Sequence, residues 1–270
     1  VSMKTTLARL DVYSFLAWRF SIATALLILI KPKVVKQFNP AFMKKGALVG
    51  LFLGSGYIFQ SIGLTKTTVG KTGFITGLYV VLTPIIAYLF LKKKISKWDW
   101  ISAILATIGL GLLSFKGFGI GLGEFLVFIS AILFAIHILA LSEWASDLDV
   151  YALATFQLGT CALITFAASQ IGGFKAPPDS GVWKAILFTA VFATAFAFIV
   201  QTWAQSFMPA TTVAVILTLE SVFAAAFGLI FLSEALTFKI AFGGLLVLVA
   251  MYLIIYFESK NTLPEVSYHD

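Results

Sequence analysis

Long apolar segments separated by short polar ones recur along the whole chain. Nine such segments lie approximately at 13–30, 46–63, 71–91, 98–115, 124–142, 151–171, 183–205, 211–232 and 238–257. Each is close to the roughly 20 residues that a helix needs to cross a bilayer. The segments are continuous apolar runs rather than alternating strands of about ten residues, which argues against a transmembrane barrel. The pattern therefore predicts an all-α, polytopic helical bundle in a membrane.

The third segment carries a polar stripe. From Gly73 to Leu91 it runs for 19 residues without a formal charge. Four hydroxyl residues recur at spacings of four, three and four, on one helical face: Thr72, Thr76, Tyr79 and Thr83. Gly73 and Gly77 lie beside this face and permit close helix packing, while Pro84 removes a backbone hydrogen bond. We expect this helix to line a polar cavity, with Gly73, Gly77 and Pro84 as candidate gating or hinge positions. In the alternative, the threonine hydroxyls bond to carbonyls of their own helix.

Composition supports the membrane assignment. Hydrophobic residues make up 60% of the chain and charged residues 11%, and the mean hydropathy is +1.00. The formal charge of +7 does not indicate a nucleic-acid partner, because 17 of the 19 basic residues are lysines clustered in loops beside apolar segments. Two histidines and one cysteine make a metal site or a cysteine-based catalytic centre improbable, and no cofactor is expected.

The lysines also indicate an orientation. The loops at 31–45 and 92–97 hold nine lysines, whereas the alternating loops of the same half hold five basic residues. Cytoplasmic loops carry the excess of Lys and Arg. This predicts a cytoplasmic location for the lysine-rich loops and for the C-terminus, in the cytoplasmic (inner) membrane.

The two halves of the chain repeat one order of features. Gln60, a Thr-Thr pair at 67–68 and a long apolar helix in the first half correspond to Gln201, a Thr-Thr pair at 211–212 and another long helix in the second. The first half has one helix fewer, so we expect residues 1–10 to follow a missing first helix. A five-helix unit inserts in opposite orientations when duplicated, which predicts an inverted 5+5 repeat. The expected parts are a first repeat at 1–116, a connection at 117–123, a second repeat at 124–257 and a polar tail at 258–270.

Four segments of the chain are distinctive. They read FLAWRF at 15–20, GYIFQSIGLTKTTVGKTGFITGLYVVLTP at 56–84, FAIHILAL at 134–141 and ATAFAFIVQTWAQSFMPATTVAVILTLESVFAAAFGLIFLSEALT at 193–237. In content and order they resemble bacterial EamA-type members of the drug/metabolite transporter superfamily. The resemblance implies ten helices as two inverted repeats that move small metabolites. It also agrees with a missing first helix, because the family's Arg-Phe pair lies in its second helix. Ser221 departs from the family, which usually has proline there, whereas Pro84 of the first copy is kept.

Polar residues inside the predicted helices are the candidates for function, because they are costly in a bilayer. The candidate substrate-binding residues are Gln60, Thr72, Thr76, Tyr79, Arg19, Gln157 and Gln201. His137 and Glu220 are candidate coupling residues. Depth along the helices groups Arg19 with the stripe and groups Glu220 with His137 and Gln157 in a second band. Glu220 can be an ion or proton site coupled to transport, or it can pair with a neighbouring helix, since in a straight helix it points about 200° away from Thr218.

Each candidate also has a structural interpretation. Arg19 can attract an anionic substrate group, or it can pair with backbone and fix its helix. His137 can titrate near neutral pH, or it can be a packed and hydrogen-bonded histidine. Gln60, Gln157 and Gln201 can bind a solute or bridge helices.

Together these features favour a secondary transporter, not an enzyme, that moves small amino-acid-like or drug-like solutes by alternating access, with proton or exchange coupling open. The alternatives are an intramembrane enzyme, for which no nucleophile–base pair is visible, and a channel or structural membrane protein. The expected partners are a small-molecule solute and membrane lipid, without nucleic acid. The choice between monomer and homodimer stays open.

Overall fold

The computed structural model describes residues 6–114, 121–231 and 237–262, and all regular structure in these ranges is helical. Twelve α-helices of eight residues or more lie there. They are α1 (Val12–Ile30), α2 (Pro40–Lys66), α3 (Val69–Gly77), α4 (Tyr79–Leu89), α5 (Lys97–Ser114), α6 (Leu122–Trp144), α7 (Val150–Ser169), α8 (Ser180–Ala190), α9 (Ala197–Gln205), α10 (Ala210–Leu217), α11 (Leu219–Phe231) and α12 (Phe238–Thr262). A π-helical turn, Val191–Phe196, joins α8 to α9, so the two form one long rod.

Eight spans in the described ranges are long and apolar enough to cross a membrane. They are Val12–Ile30, Pro40–Lys66, Val69–Leu89, Leu122–Trp144, Val150–Gly172, Ser180–Gln205, Ala210–Phe227 and Phe238–Lys260. The fourth predicted segment is not among these eight spans. It is helical, as α5, but Lys97 and Asp99 in its first turn lower its hydropathy. The prediction of an all-α polytopic membrane protein is confirmed.

Two of the three apolar clusters among the described residues position the spans discussed below. One is built on Phe15, Phe20, Leu158 and Ile186, where α1 packs against α7 and α8. The other is built from α4, α5, α6, α10 and α12, with these residues at its centre: Val80, Ala106, Leu110, Ile138, Ala214, Val215 and Val247. Small residues on α2 bring it close to α7, since a Cβ on Gly50 would lie 2.5 Å from the carbonyl oxygen of Gln157.

The span at 69–89 is interrupted at Leu78, not at Pro84 as the sequence suggested. Leu78 N–H donates to the carbonyl of Ile75 at 3.2 Å, three residues back rather than four. Pro84 lies inside α4, where the Thr83 hydroxyl donates to the Tyr79 carbonyl at 2.7 Å. Such a hydroxyl helps a helix to accommodate proline.

The span at 210–231 is interrupted in the same way. Thr218 N–H donates to the carbonyl of Val215 at 3.1 Å, and Ser221 N–H donates to Thr218 at 3.0 Å. At the other interruption Val81 N–H donates to Leu78 at 3.1 Å. The two interruptions therefore share one hydrogen-bond pattern.

Two helices extend into segments that were expected to be a connection and a tail. α12 continues to Thr262, so the first five residues of the expected tail at 258–270 are helical. α6 begins at Leu122, so the last two residues of the expected connection at 117–123 belong to a helix. Residues 117–120 and 263–270 of these two expected segments lie outside the described residues.

Candidate functional site

A cavity of about 340 Å³ lies where the two interrupted helices meet, between α3, α4, α5, α10 and α11. We name it the helix-break cavity. Its polar lining consists of Gln60, Thr76, Tyr79, Thr218, Glu220 and Ser221. Glycines, alanines and aliphatic side chains form the rest of its wall. A cleft with a mostly apolar wall and a few convergent polar groups is the usual form of a small-molecule site.

Half of the predicted hydroxyl stripe reaches this cavity. Thr76 and Tyr79 line it, and Gln60 donates from Nε2 to Thr76 Oγ1 at 3.1 Å. Thr72 donates to the Thr68 carbonyl at 3.0 Å, and Thr83 likewise bonds within its own helix; neither is among the lining residues. Two residues of the stripe therefore line a cavity, and the other two bond to carbonyls of their own helix, as the two interpretations of the sequence allow. Of the predicted hinge residues, Gly73 and Gly77 line the cavity and Pro84 does not.

Glu220 belongs to this cavity and not to the band of His137 and Gln157. It is exposed and lines the cavity, and it is the one formally charged residue among the lining residues in the described part of the chain. Thr218 and Glu220 face the same cavity, although a straight helix would separate them by about 200°. The straight-helix geometry was wrong here because the helix is interrupted at Thr218.

Arg19 lies elsewhere, at the π-helical turn. It is buried, donates from Nε to Thr194 Oγ1 at 2.6 Å and from Nη2 to the Ala193 carbonyl at 3.0 Å. Its guanidinium lies 4.9 Å from the centre of the Tyr57 ring. A π turn leaves backbone carbonyls without their usual helical donors, and Arg19 satisfies one of them. The geometry is that of the backbone-pairing interpretation of Arg19.

His137 and Gln157 belong to a chain of hydrogen bonds that links α6, α7 and α9. His137 Nε2 lies 2.9 Å from Gln157 Oε1, and Gln157 Nε2 donates to Thr202 Oγ1 at 3.0 Å. Thr202 uses its own proton on the Phe198 carbonyl at 2.6 Å, so it can only accept from Gln157. The amide oxygen of Gln157 must then face the imidazole, which makes Nε2–H of His137 the donor in this bond. These three residues bridge helices and do not line the helix-break cavity.

Gln201 continues this polar layer. It donates to Gln205 Oε1 at 2.9 Å, and Gln205 donates to Ser142 Oγ and to the Ile138 carbonyl at 2.6 and 2.7 Å. Gln201 therefore bonds within its own helix, while Gln205 makes the link to α6, and neither lines the helix-break cavity.

A second cavity, of about 380 Å³, lies at the far ends of the same helices. We name it the lysine-side cavity, because Lys93 and Lys94 line it together with Asp99, Ser142, Thr211 and Glu258. Thr212, at the start of α10, donates to Glu258 near the end of α12. α4 and α10 each reach both cavities: Tyr79 and Leu217 line the first, and Ala87 and Thr211 the second.

Packed apolar residues separate the two cavities. Val80, Ala214 and Val215 are fully buried at intermediate positions of α4 and α10, and Ile138 of α6 packs against the same cluster. The two cavities thus approach each other from opposite ends of the broken helices without merging.

Ion pairs tie both ends of the α3–α4 span to α6. Lys71 Nζ lies 2.9 Å from Glu124 Oε1, which also accepts from Thr67. At the opposite end Lys93 Nζ lies 2.5 Å from Glu143 Oε2, in a more exposed pair.

Sequence reasoning missed Thr218 and Ser221 as lining residues, although two hydroxyl residues within the apolar run around Glu220 were a visible signal. It also missed Thr194, because nothing in the sequence marks the π turn that presents it to Arg19. Among the described residues, no group of three or more His, Cys, Asp or Glu could hold a metal ion.

Comparison with known proteins gives a consistent result. The sequence matches the EamA-like transporter family over residues 1–115 and 121–256. It is 35% identical over 212 residues to an uncharacterized transporter of Archaeoglobus fulgidus, covering 78% of this chain and 68% of that one. It is 27% identical over 212 residues to the uncharacterized transporter YetK of Bacillus subtilis, covering 72% and 63%. A solved crystal structure, 15% identical, superposes with a TM-score of 0.79 over 97% of this chain and 93% of the other, which supports the fold alone.

Proposed function

The chain belongs to the EamA-like transporter family, and we propose that it is a secondary transporter that moves a small organic solute across the cytoplasmic membrane by alternating access. The transporters that it resembles are themselves uncharacterized, so the proposal depends on the site. One observation carries it: two cavities approach from opposite ends of the same two interrupted helices and are separated by a packed apolar layer. A site that must open alternately to two sides needs such a separation, and discontinuous helices at the midplane are a recurrent way to build it.

The interruptions support an inverted repeat. Leu78 and Thr218 lie at corresponding points of the two spans, nine residues after Val69 and eight after Ala210, and share one hydrogen-bond pattern. The family matches two separate stretches, 1–115 and 121–256. Two similar units in opposite orientation can exchange conformations, and this exchange would open the site to one side and then to the other.

The lysine-side cavity faces the cytoplasm in this proposal, and the C-terminus lies on the same side. Lys93 and Lys94 at its rim belong to the more lysine-rich set of loops, which the positive-inside rule assigns to the cytoplasm. The helix-break cavity then opens toward the exterior and holds the solute in an outward-facing state.

Gln60, Thr76 and Tyr79 are the proposed solute-binding residues from the original candidates, and Glu220 joins them. Gly73 and Gly77 remain candidate hinge positions beside the interruption. Glu220 is the better coupling candidate of the original pair, because His137 Nε2 is already bonded within a closed network.

The proposal is tested with protein purified and reconstituted in proteoliposomes. A thermal-shift screen of metabolites first identifies solutes that stabilise the protein, and these are then tested in counterflow. We expect saturable uptake that is stimulated by the same solute on the opposite side. Gln60→Leu should weaken it, whereas Gln170→Leu, an exposed glutamine on the Gln170–Gly172 turn, should not.

Other outcomes identify other functions. Flux that neither saturates nor responds to solute on the opposite side would indicate a channel. Turnover of a stabilising solute without flux would indicate an intramembrane enzyme. Either result would overturn the transporter proposal.

A further inference from the structure

Among the described residues, the lining of the helix-break cavity has a negative formal charge. Glu220 is the sole formally charged residue among its described lining residues, and its carboxylate makes no hydrogen bond to any described group. The other polar lining groups are hydroxyls and the Gln60 amide, which carry no net charge. A cavity with one unpaired carboxylate attracts a positive group and repels a negative one.

Arg19, the candidate for a positive partner, is bonded elsewhere. Arg19 influences Glu220 electrostatically, but its guanidinium donates to Thr194 and to the Ala193 carbonyl and lies over the Tyr57 ring. It is not among the cavity's lining residues, so it forms no ion pair inside the cavity. A carboxylate that lines a cavity within a membrane-spanning bundle is stabilised by a partner for its charge, and the bound solute can supply it.

The neutral polar groups suit an ammonium group. Tyr79, Thr218 and Ser221 line the same cavity as Glu220. Their hydroxyl oxygens can accept hydrogen bonds from the ammonium N–H groups that do not bind the carboxylate. A protonated amine has up to three donors and no acceptor, which matches one carboxylate with several hydroxyls.

The rest of the cavity wall is apolar. Leu113, Ala225 and Ile240 line the helix-break cavity and also an adjoining groove of about 330 Å³. The groove's other described lining residues are aliphatic or glycine: Val222, Ala226, Ala241, Gly244, Leu245 and Leu248. Because three residues are shared, an apolar body attached to the amine can extend from the cavity into the groove.

We infer that the solute of this site is an organic amine that is protonated when bound, with Glu220 as its counter-ion and an apolar body along Leu113, Ala225 and Ile240. The inference rests on the proposed function in taking the helix-break cavity as the solute site. It makes Glu220 a specificity-determining residue that excludes organic anions.

Two matched series of probes test the inference. They are 2-phenylethylamine, 2-phenylethanol and phenylacetate, and tryptamine, tryptophol and indole-3-acetate, in which shape is nearly constant and charge changes from positive to neutral to negative. Binding to the protein in nanodiscs is measured by isothermal titration calorimetry. We expect the amine of at least one series to bind about tenfold or more tighter than its alcohol and its acid. Ethanolamine, which lacks the apolar body, should bind more weakly than that amine.

Two variants connect the preference to the carboxylate. Glu220→Gln should remove the advantage of the amine over the alcohol, while Glu143→Gln, which removes an exposed carboxylate from the pair with Lys93, should retain it. The melting temperature of each variant establishes that it is folded. Equal binding of amine and alcohol, tighter binding of an acid, an unchanged preference in Glu220→Gln, or no binding by either amine would each overturn the inference.

These outcomes are separate from the test of transport. Counterflow of an anionic or neutral solute would support the transporter proposal and contradict the inference that the solute is an amine. Tight amine binding without flux would support the amine site and contradict the transporter proposal.

Discussion

Gly109 on α5 and Gly243 on α12 lie against each other, backbone to backbone. A Cβ on Gly109 would lie 2.7 Å from the carbonyl oxygen of Gly243, and a Cβ on Gly243 would lie 2.8 Å from that of Gly109. The contact is reciprocal, and it joins the last spans of the two halves of the chain. Small residues allow membrane helices to approach this closely, where van der Waals contact holds them together.

Alanine at either glycine should therefore destabilise the bundle. The added methyl group meets backbone, which cannot rotate away, and overpacking of this kind costs about 1–3 kcal/mol. Gly111→Ala on the same helix is the matched control, because the nearest neighbour of its added Cβ is the Phe74 ring, at 3.5 Å. The control should be neutral or stabilising by up to about 1 kcal/mol, from the better helix propensity of alanine.

Cys161 provides the measurement. It is fully buried and is the one cysteine in the chain, so a thiol-reactive dye reports its exposure on heating. Gly109→Ala and Gly243→Ala should lower the melting temperature relative to Gly111→Ala. Equal melting temperatures for all three variants would show that α5 and α12 can separate freely at this contact.

Arg19 should matter for stability and not for the choice of solute. Arg19→Met leaves Thr194 and the Ala193 carbonyl without their charged donor, and a hydrogen bond to a charged group contributes about 1.5–3 kcal/mol. We expect a lower melting temperature but the same order of affinities among solutes of different charge. Thr24→Val, which removes a hydroxyl bonded to its own helix at the Phe20 carbonyl, is the control. Anion binding by the wild type that is lost in Arg19→Met would instead place Arg19 in the solute site.

The pair His137 and Gln157 should show non-additive substitutions. Each single change to leucine leaves one buried polar group without its partner, at a cost of about 1–3 kcal/mol. The double change removes the donor and the acceptor of this bond together, so its effect should be smaller than the sum by about 0.5–3 kcal/mol. Melting temperatures of the two single variants and the double variant measure this coupling. Strict additivity would mean that the hydrogen bond contributes nothing to stability.

Much of the fold could be predicted because bilayer physics leaves few alternatives. Apolar runs near 20 residues must be helices, and their number and order follow directly from the sequence. All nine predicted segments are helical over the residues that the structure describes, and their ends move by a few residues, as at Pro40 and Thr262.

The site was only partly predictable, because it depends on departures from ideal helices. A regular helix puts Thr72, Thr76, Tyr79 and Thr83 on one face, but the interruption at Leu78 and bonding within the helix leave only Thr76 and Tyr79 at the cavity. The interruption at Thr218 turns Glu220 into the same cavity. The position of Arg19 depends on the π turn at Val191–Phe196, which carries no sequence signal of the kind that proline supplies.

Uptake of an amine should depend on pH through Glu220. Protonation removes the negative charge that attracts the ammonium group, so uptake in proteoliposomes should fall as the pH is lowered. Arg19, Tyr57 and Tyr79 are the groups that interact electrostatically with this carboxylate. On α5 and α12, which pack against α11, the charged residues of the described range lie at helix ends: Lys97, Asp99, Lys239, Glu258 and Lys260. Glu220→Gln should have low uptake with no such fall, whereas Glu143→Gln should keep the wild-type profile. Retention of the fall in Glu220→Gln would remove Glu220 from proton coupling.

Single cysteines in a Cys161→Ala background should reveal the two cavities from opposite sides of the membrane. Thr76→Cys lies at the helix-break cavity, Thr211→Cys at the lysine-side cavity, and Val80→Cys in the buried layer between them. A charged, membrane-impermeant thiosulfonate should modify Thr76→Cys from the exterior and Thr211→Cys from the cytoplasm. Val80→Cys should react slowly from both sides, because packed side chains exclude the reagent.

Solute is the decisive addition to this labelling experiment. If the two cavities open alternately, a transported solute should change the labelling rates of Thr76→Cys and Thr211→Cys in opposite directions, since a shift toward one state closes the other cavity. A solute that blocks both sites equally would act as a static ligand. Rapid modification of Val80→Cys from either side would contradict the packed layer and indicate a continuous pore. The proposed orientation fails if Thr76→Cys is modified from the cytoplasm alone.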